Sequence, residues 1–146
     1  LDDLIANWKA TCGLDAAAQK AAVVHFQSAL TQEHAQSLLN QPHPHAEVWN
    51  ERRFEIVLEE GWVTGIIDRV VLERPSSDAP YTHARIIDFK TNRGLNSPDA
   101  LAEASAHYRP QMNLYRRVLA RITGLPESAI EATLWFTECN HVAQID

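Results

Sequence analysis

The chain has 146 residues, 45% of them hydrophobic and 22% charged, which is the balance of one globular domain and excludes a disordered chain. It has 13 Lys and Arg against 19 Asp and Glu, a net charge of −6 at pH 7. This charge excludes a protein that coats nucleic acid by bulk positive charge, but not one with a local basic stripe. The two cysteines, Cys12 and Cys139, form no CxxC pair, which excludes a disulfide framework, a zinc ribbon and a four-cysteine iron–sulfur cluster.

The first forty residues have the three-to-four spacing of apolar side chains that predicts helices. A first helix ends at Gly13, a second begins after the capping residue Asp15, and a short third begins near Thr31. Two prolines within residues 41–45 then favour an extended connection.

Beyond this connection the apolar spacing changes from helical to alternating, which predicts strands. Strands are predicted around 53–59, 62–72 and 84–89, and short connections suggest an antiparallel meander. A helix is predicted to open at 97–99 and to be interrupted by Pro110, so that a second helix runs from Tyr108 to Ile122. A last strand follows at 132–136. The fold class is therefore α/β or α+β, with a central sheet flanked by helices.

Two acids and a lysine stand at the ends of predicted strands, each acid following an Ile-Ile pair. Because strand residues two apart point to one face, Asp88 and Lys90 are neighbours, and Asp68 can lie beside Asp88 across the strand pair. Two carboxylates in an apolar sheet need a partner, and Mg²⁺ would satisfy both through oxygen coordination. Such an ion with a lysine suffices for phosphodiester hydrolysis. The alternative is that the acids pair with Arg69, Lys90 or Arg85 and are purely structural.

The helix predicted from Tyr108 to Ile122 combines a polar pair with a row of basic residues. Gln111 and Tyr115 lie one turn apart and share a face. Arg109, Arg116 and Arg117 could contact the DNA backbone. The alternative is a solvated amphipathic helix. No GxGxxG, GxxxxGK[ST], HExxH or GxSxG motif is present, which leaves dinucleotide, P-loop, zincin and serine-hydrolase sites without support.

Four motifs in this order resemble the PD-(D/E)XK nuclease superfamily: Glu51-x-x-Phe54, Gly65-x-x-Asp68-Arg69, Asp88-Phe89-Lys90-Thr91 and Gln111-x-x-x-Tyr115. Residues 47–138 resemble in particular the RecB-like nuclease domain at the C-terminus of AddA/RecB-type helicase–nucleases. The resemblance implies a restriction-endonuclease-like core with a mixed sheet of about four strands. It also implies that residues 1–146 form one nuclease domain, with a helical part at 1–45 and a nuclease core at 46–146.

Carried over to this sequence, the resemblance implies that Asp68, Asp88 and the Phe89 carbonyl hold Mg²⁺ or Mn²⁺. Lys90 would be the catalytic lysine, and Gln111 and Tyr115 would support the site or contact DNA. The implied activity is DNA hydrolysis during end processing and double-strand-break repair. The implied partners are DNA, a UvrD/RecB-type helicase region upstream of Leu1 and an AddB/RecC-type subunit.

One family residue is missing from its usual setting. The family places a further metal-ligating His in Gly-Thr-x-x-His on an N-terminal helix, whereas His25 stands in Ala-Val-Val-His-Phe. We expect that the family His lies upstream of Leu1 or is absent, so that this chain's metal site is incomplete. The alternative function is then a catalytically incomplete module that binds DNA or a partner subunit. Without a visible leader or an apolar span of ~20 residues, we expect a cytoplasmic protein without membrane contact.

Overall fold

The computed structural model describes residues 2–31, 33–59 and 61–146. The chain forms two compact units, residues 1–40 and residues 41–146. The boundary between them lies close to the one predicted between residues 45 and 46. That the two units form a single nuclease domain remains a prediction.

The N-terminal unit contains the three helices predicted from the sequence, α1 (Asp2–Thr11), α2 (Ala16–Leu30) and α3 (Glu33–Leu39). The Asp15 Oδ1 atom accepts a hydrogen bond of 2.8 Å from the backbone N–H of Ala18. Asp15 therefore caps α2, as predicted, by satisfying one of the backbone donors that a helix N-terminus leaves free.

The C-terminal unit is built on a mixed sheet whose strands follow the chain order. The strands are β1 (Glu47–Leu58), β2 (Gly61–Glu73), β3 (His83–Lys90), β4 (Ile130–Phe136) and β5 (His141–Ile145). Neighbouring strands are antiparallel except β3 and β4, which are parallel. The fold class predicted from the sequence, a mixed sheet flanked by helices, is therefore confirmed.

The sheet has one strand more than the four expected, because β5 was not predicted. It follows β4 through a turn in which Asn140 takes the left-handed conformation with φ of 52°. This turn lacks the glycine that would have marked a hairpin in the sequence. In addition, β5 has only five residues, too few for alternation to stand out.

The connection between the parallel strands is a single helix, α4 (Pro98–Thr123), followed by a short 3₁₀ turn at Glu127–Ala129. The predicted interruption at Pro110 is wrong, because the helix runs through this residue. A proline inside a helix removes the bond to the carbonyl four residues earlier. Here Ala106 and Pro110 are both exposed, so water can hydrate the freed carbonyl.

The main core lies between the sheet and α4. Met112, Val118 and Leu119 of the helix are fully buried and pack with strand residues that include Ile86 and Leu134. Because strand side chains alternate, Asp88 lies on the same face as Ile86. The fold thus directs this carboxylate into the core side of the sheet. None of the described helices is long and apolar enough to cross a membrane.

Candidate active site

The candidate site forms where β2 and β3 separate. The pairing of these strands ends at Arg69 and Ile87, and Asp68 and Asp88 are the next residues on each strand. The Asp68 Oδ2 atom accepts a hydrogen bond of 2.9 Å from the backbone N–H of Phe89. The structure therefore brings the two carboxylates together at the end of the β2–β3 pairing, as the sequence predicts. Their catalytic roles remain predictions.

Asp88 is the buried acid of the site, with 2% of its surface exposed. Burial raises the pKa of its carboxyl group, the nearby Lys90 opposes this shift, and Asp68 adds to it. The Asp88 Oδ2 atom lies 2.6 Å from Lys90 Nζ, although the contact is not aligned as a hydrogen bond. Within the described part of the chain, this buried oxygen has no properly oriented donor.

Lys90 is held from several sides. Besides Asp88, its Nζ atom donates a 3.0 Å hydrogen bond to Gln111 Oε1 and lies 4.1 Å from the centre of the Tyr108 ring. Its backbone carbonyl accepts a 2.9 Å bond from the N–H of Thr137. The ammonium group therefore has a fixed position next to the buried carboxylate.

Gln111 and Tyr115 connect this lysine to β2. Gln111 Nε2 donates a 2.8 Å hydrogen bond to the Tyr115 hydroxyl, which in turn donates a 2.8 Å bond to the Ile66 carbonyl. Burial is the main cause that raises the pKa of Tyr115, so the hydroxyl keeps its proton and remains a donor. Of the predicted pair, Gln111 thus contacts Lys90 directly and Tyr115 holds Gln111.

Phe54 and Gly65 explain two further motifs. A Cβ atom on Gly65 would lie 2.6 Å from the tip of the Phe54 ring, so only glycine leaves room for this ring. The Phe54 ring packs edge-to-face on Tyr115 with 5.8 Å between ring centres. Gly65 therefore provides the space for the Phe54 ring, and the Phe54 ring packs against Tyr115. Glu51, whose role the resemblance leaves open, has a left-handed φ of 49°.

The structure also tests the purely structural interpretation of the acids. Arg85 bonds to Glu131 at 3.2 Å, and Arg69 bonds to Asn50 at 2.8 Å. The close ion pair of Asp88 is therefore the one with Lys90. This pair is one that the structural interpretation predicts for Asp88, whereas Asp68 accepts its hydrogen bond from the Phe89 backbone.

The predicted DNA-contacting arginines differ in their surroundings. Arg116 donates hydrogen bonds to the Ile130 carbonyl, to Asn113 Oδ1 and to the Ile145 carbonyl. Its guanidinium group joins α4 to β4 and β5, which argues against the predicted contact with DNA. Arg109 is exposed and Arg117 is half-buried; for both, DNA binding remains a prediction.

Tyr108 contacts Lys90 in the structure but is not among the site residues predicted from the sequence. It precedes Gln111 by three positions, so the two share a helix face, and this spacing was the available signal. Its contact with Lys90 nevertheless joins α4 to β3, a long-range relation that helical spacing alone does not give.

A divalent cation fits the donors present. Asp68, Asp88 and the adjacent main chain of Phe89 offer hard oxygen ligands of the kind that Mg²⁺ prefers. The two carboxylates face one lysine, so a cation would balance the charge that remains. Among the residues that the structure describes, no group of three or more His, Cys, Asp and Glu side chains comes together. That Asp68 and Asp88 are metal ligands remains a prediction.

Comparison with known protein families matches residues 2–145 to the PD-(D/E)XK nuclease superfamily. A search of curated proteins found no match. The family match covers nearly the whole chain and includes both strands that carry the acids. These nucleases typically use divalent metals, in agreement with the donors of this site. The chain belongs to the PD-(D/E)XK nuclease superfamily.

Proposed function

We propose that this nuclease-superfamily domain hydrolyses phosphodiester bonds of DNA with Mg²⁺ or Mn²⁺. The observation that carries the proposal is the convergence of Asp68, Asp88 and Lys90 at the end of one strand pair, with Asp88 2% exposed. Two carboxylates with one lysine leave a net negative charge, which a bound cation would balance.

In this proposal each residue has a defined task. Asp68, Asp88 and the Phe89 carbonyl hold the cation, which, when bound, acts as a Lewis acid on phosphate and makes water a stronger acid. Lys90 offers a fixed positive charge, 14% exposed, to a water molecule or to the charge that develops on phosphate. Gln111 and Tyr115 keep this lysine in position.

We further propose that the domain acts in DNA end processing and double-strand-break repair. The support is the resemblance of its motifs to RecB-like domains of AddA/RecB-type proteins. In that setting, a UvrD/RecB-type helicase region delivers the DNA end and an AddB/RecC-type subunit is the partner. Arg109 and Arg117 would contact phosphates, and the protein would work in the cytoplasm.

A second candidate is a binding module that holds DNA or a partner subunit without cleaving. The observation in its favour is that the side-chain ligands found in the described residues are two aspartates, with no His among them. In the nuclease candidate, we propose that the further metal-ligating His comes from outside residues 1–146. Activity of the complete gene product therefore separates the two candidates.

The test is cleavage of fluorescently labelled single- and double-stranded DNA by the complete gene product with Mg²⁺, Mn²⁺ or Ca²⁺. We expect cleavage with Mg²⁺ or Mn²⁺, and its loss in Asp88→Ala, because one strand carboxylate is too little charge to hold a hydrated dication near a polyanion. Lys90→Ala should retain cation binding in calorimetry but lose hydrolysis. The matched control is Asp78→Ala, since Asp78 is an exposed acid in a loop.

Each outcome decides between candidates. Cleavage by the Asp88→Ala variant at the wild-type rate would show that the chemistry resides elsewhere. DNA binding without cleavage by the complete gene product, with either metal, would favour the binding module. The isolated 146-residue chain should bind the cation weakly and cleave poorly.

A further inference from the structure

The Tyr108 ring faces the ammonium group of the candidate catalytic lysine. Lys90 Nζ lies 4.1 Å from the ring centre, well within the ~6 Å at which a cation is attracted to an aromatic face. The Tyr108 hydroxyl donates a 3.0 Å hydrogen bond to Asn92 Oδ1, and its ring also packs on Phe136 with 6.4 Å between centres. The ring is therefore fixed at its tip and along one side.

This ring completes the environment of Lys90. An ammonium group has three N–H donors. One N–H donates to Gln111 Oε1 at 3.0 Å, the ion pair with Asp88 Oδ2 at 2.6 Å lies on a second side, and the Tyr108 ring covers a third. The side chain is 14% exposed, so little water reaches the charge.

We propose that Tyr108 is a positioning residue that keeps the Lys90 ammonium group in the site when Asp88 binds a cation. The carboxylate cannot give its full charge to both a dication and the lysine. A cation shared with Asp88 also repels Lys90, and the remaining attachments are Gln111 and the π-face of Tyr108. The ring remains attractive because its interaction with Lys90 does not use the Asp88 oxygen.

The proposal rests on the proposed function in two respects, cation binding by Asp88 and a part for Lys90 in hydrolysis; the contact between Tyr108 and Lys90 can be tested without cleavage. In proton NMR of the 146-residue chain, the ε-methylene protons of Lys90 should be shifted upfield by the ring current. The shift should persist in Tyr108→Phe and disappear in Tyr108→Leu. On addition of Mg²⁺ it should remain in the wild type.

The kinetic test is a series at position 108 in the complete gene product: tyrosine, phenylalanine and phenylalanines with increasing numbers of fluorine atoms. Fluorine weakens the π-face with little change in size. The cleavage rate should fall stepwise along the series and by about 5- to 30-fold in Tyr108→Leu. Tyr108→Phe should stay within about two-fold of wild type, and Mg²⁺ affinity in calorimetry should change little. The matched control is Tyr81→Leu, which removes the ring beneath Arg74 and should leave the rate unchanged.

Three results would overturn the proposal. They are a flat rate across the fluorinated series, a wild-type rate in a folded Tyr108→Leu variant, and loss of the Lys90 shift when Mg²⁺ binds to the wild type. If Tyr108→Leu does not fold, the fluorinated series decides alone. If no variant cleaves DNA, the proposed function fails, while the NMR shifts still show whether Tyr108 holds the lysine.

Discussion

Removing the Tyr115 hydroxyl should both destabilise the fold and slow the proposed reaction. This hydroxyl makes two hydrogen bonds of 2.8 Å, to the Ile66 carbonyl and from Gln111, and the residue is 8% exposed. A hydrogen bond contributes about 1 kcal/mol, and a buried group left without its partner costs about 1–3 kcal/mol. We therefore expect Tyr115→Phe to lose about 2–3 kcal/mol in urea unfolding, equivalent to about 7–10 °C for a chain of this size.

The stability difference should depend on pH in a defined direction. Burial raises the pKa of Tyr115, so the folded state holds the phenolic proton more tightly than the unfolded state does. The contribution of the hydroxyl is then complete below the usual tyrosine pKa of about 10 and is lost as the pH rises through the folded pKa. Phenylalanine does not titrate, so the gap between wild type and Tyr115→Phe should narrow above about pH 10. Urea midpoints measured from pH 7 to pH 10.5 check this.

The matched control is Tyr81→Phe, which removes a hydroxyl bonded to Glu47 near the surface and should cost less than Tyr115→Phe. A double-mutant cycle with Gln111→Ala should show coupling of about 0.5–1 kcal/mol, because the two side chains share one bond. In cleavage assays, Tyr115→Phe should be slower by about ten-fold, because Gln111 then positions Lys90 less well. A loss of stability below about 0.5 kcal/mol would refute the assigned bonds.

Three further predictions test other parts of the molecule. Because burial raises the pKa of Asp88, the metal-free wild type should lose stability as the pH rises from about 4 through the folded pKa, and Asp88→Asn should lack this component of the pH dependence of urea unfolding. Arg116→Ala should lose about 2 kcal/mol in urea unfolding without changing DNA affinity, whereas Arg109→Ala should keep its stability and lower the salt slope of DNA binding by about one unit. Gly65→Ala should lose about 1–3 kcal/mol in thermal unfolding by colliding with Phe54, and adding Phe54→Leu should recover part of it. The same pH dependence of unfolding in Asp88→Asn and wild type, loss of DNA affinity in Arg116→Ala, or no recovery in the double variant would contradict the respective argument.

The parts of the fold that the sequence could predict are those governed by local periodicity. Alternation located β1, β2 and β3, and capping chemistry located α2, because these signals depend on residues near in the chain. The two errors have the opposite origin. Pro110 is tolerated because its position on α4 is exposed, and β5 forms because β4 offers it an edge. Both depend on tertiary surroundings.

The same division applies to the site. The shared face of Asp88 and Lys90 follows from a two-residue period, and the nearness of Asp68 follows from antiparallel pairing. The direction of the Arg116 side chain does not follow from any spacing, because its partners are carbonyls at the ends of other strands. For the same reason the contact between Tyr108 and Lys90 could not be predicted. A basic stripe in the sequence therefore does not say which of its arginines are available to a ligand.

Two residues of the site, Tyr115 and Asp88, have opposite effects on the stability of the fold. Tyr115 stabilises it through its buried bonds, which lead through Gln111 to Lys90. Asp88 destabilises it, because burial raises the pKa of its carboxyl group and one oxygen lacks an aligned donor among the described residues. When the ionisation of a buried group lowers the free energy of unfolding, a ligand that neutralises its charge raises that free energy again. A bound dication would have this effect on Asp88. A dication bound at Asp88 would stabilise the ionised carboxylate and offset part of the cost of its burial, while Gln111 and Tyr108 keep the Lys90 ammonium group beside it.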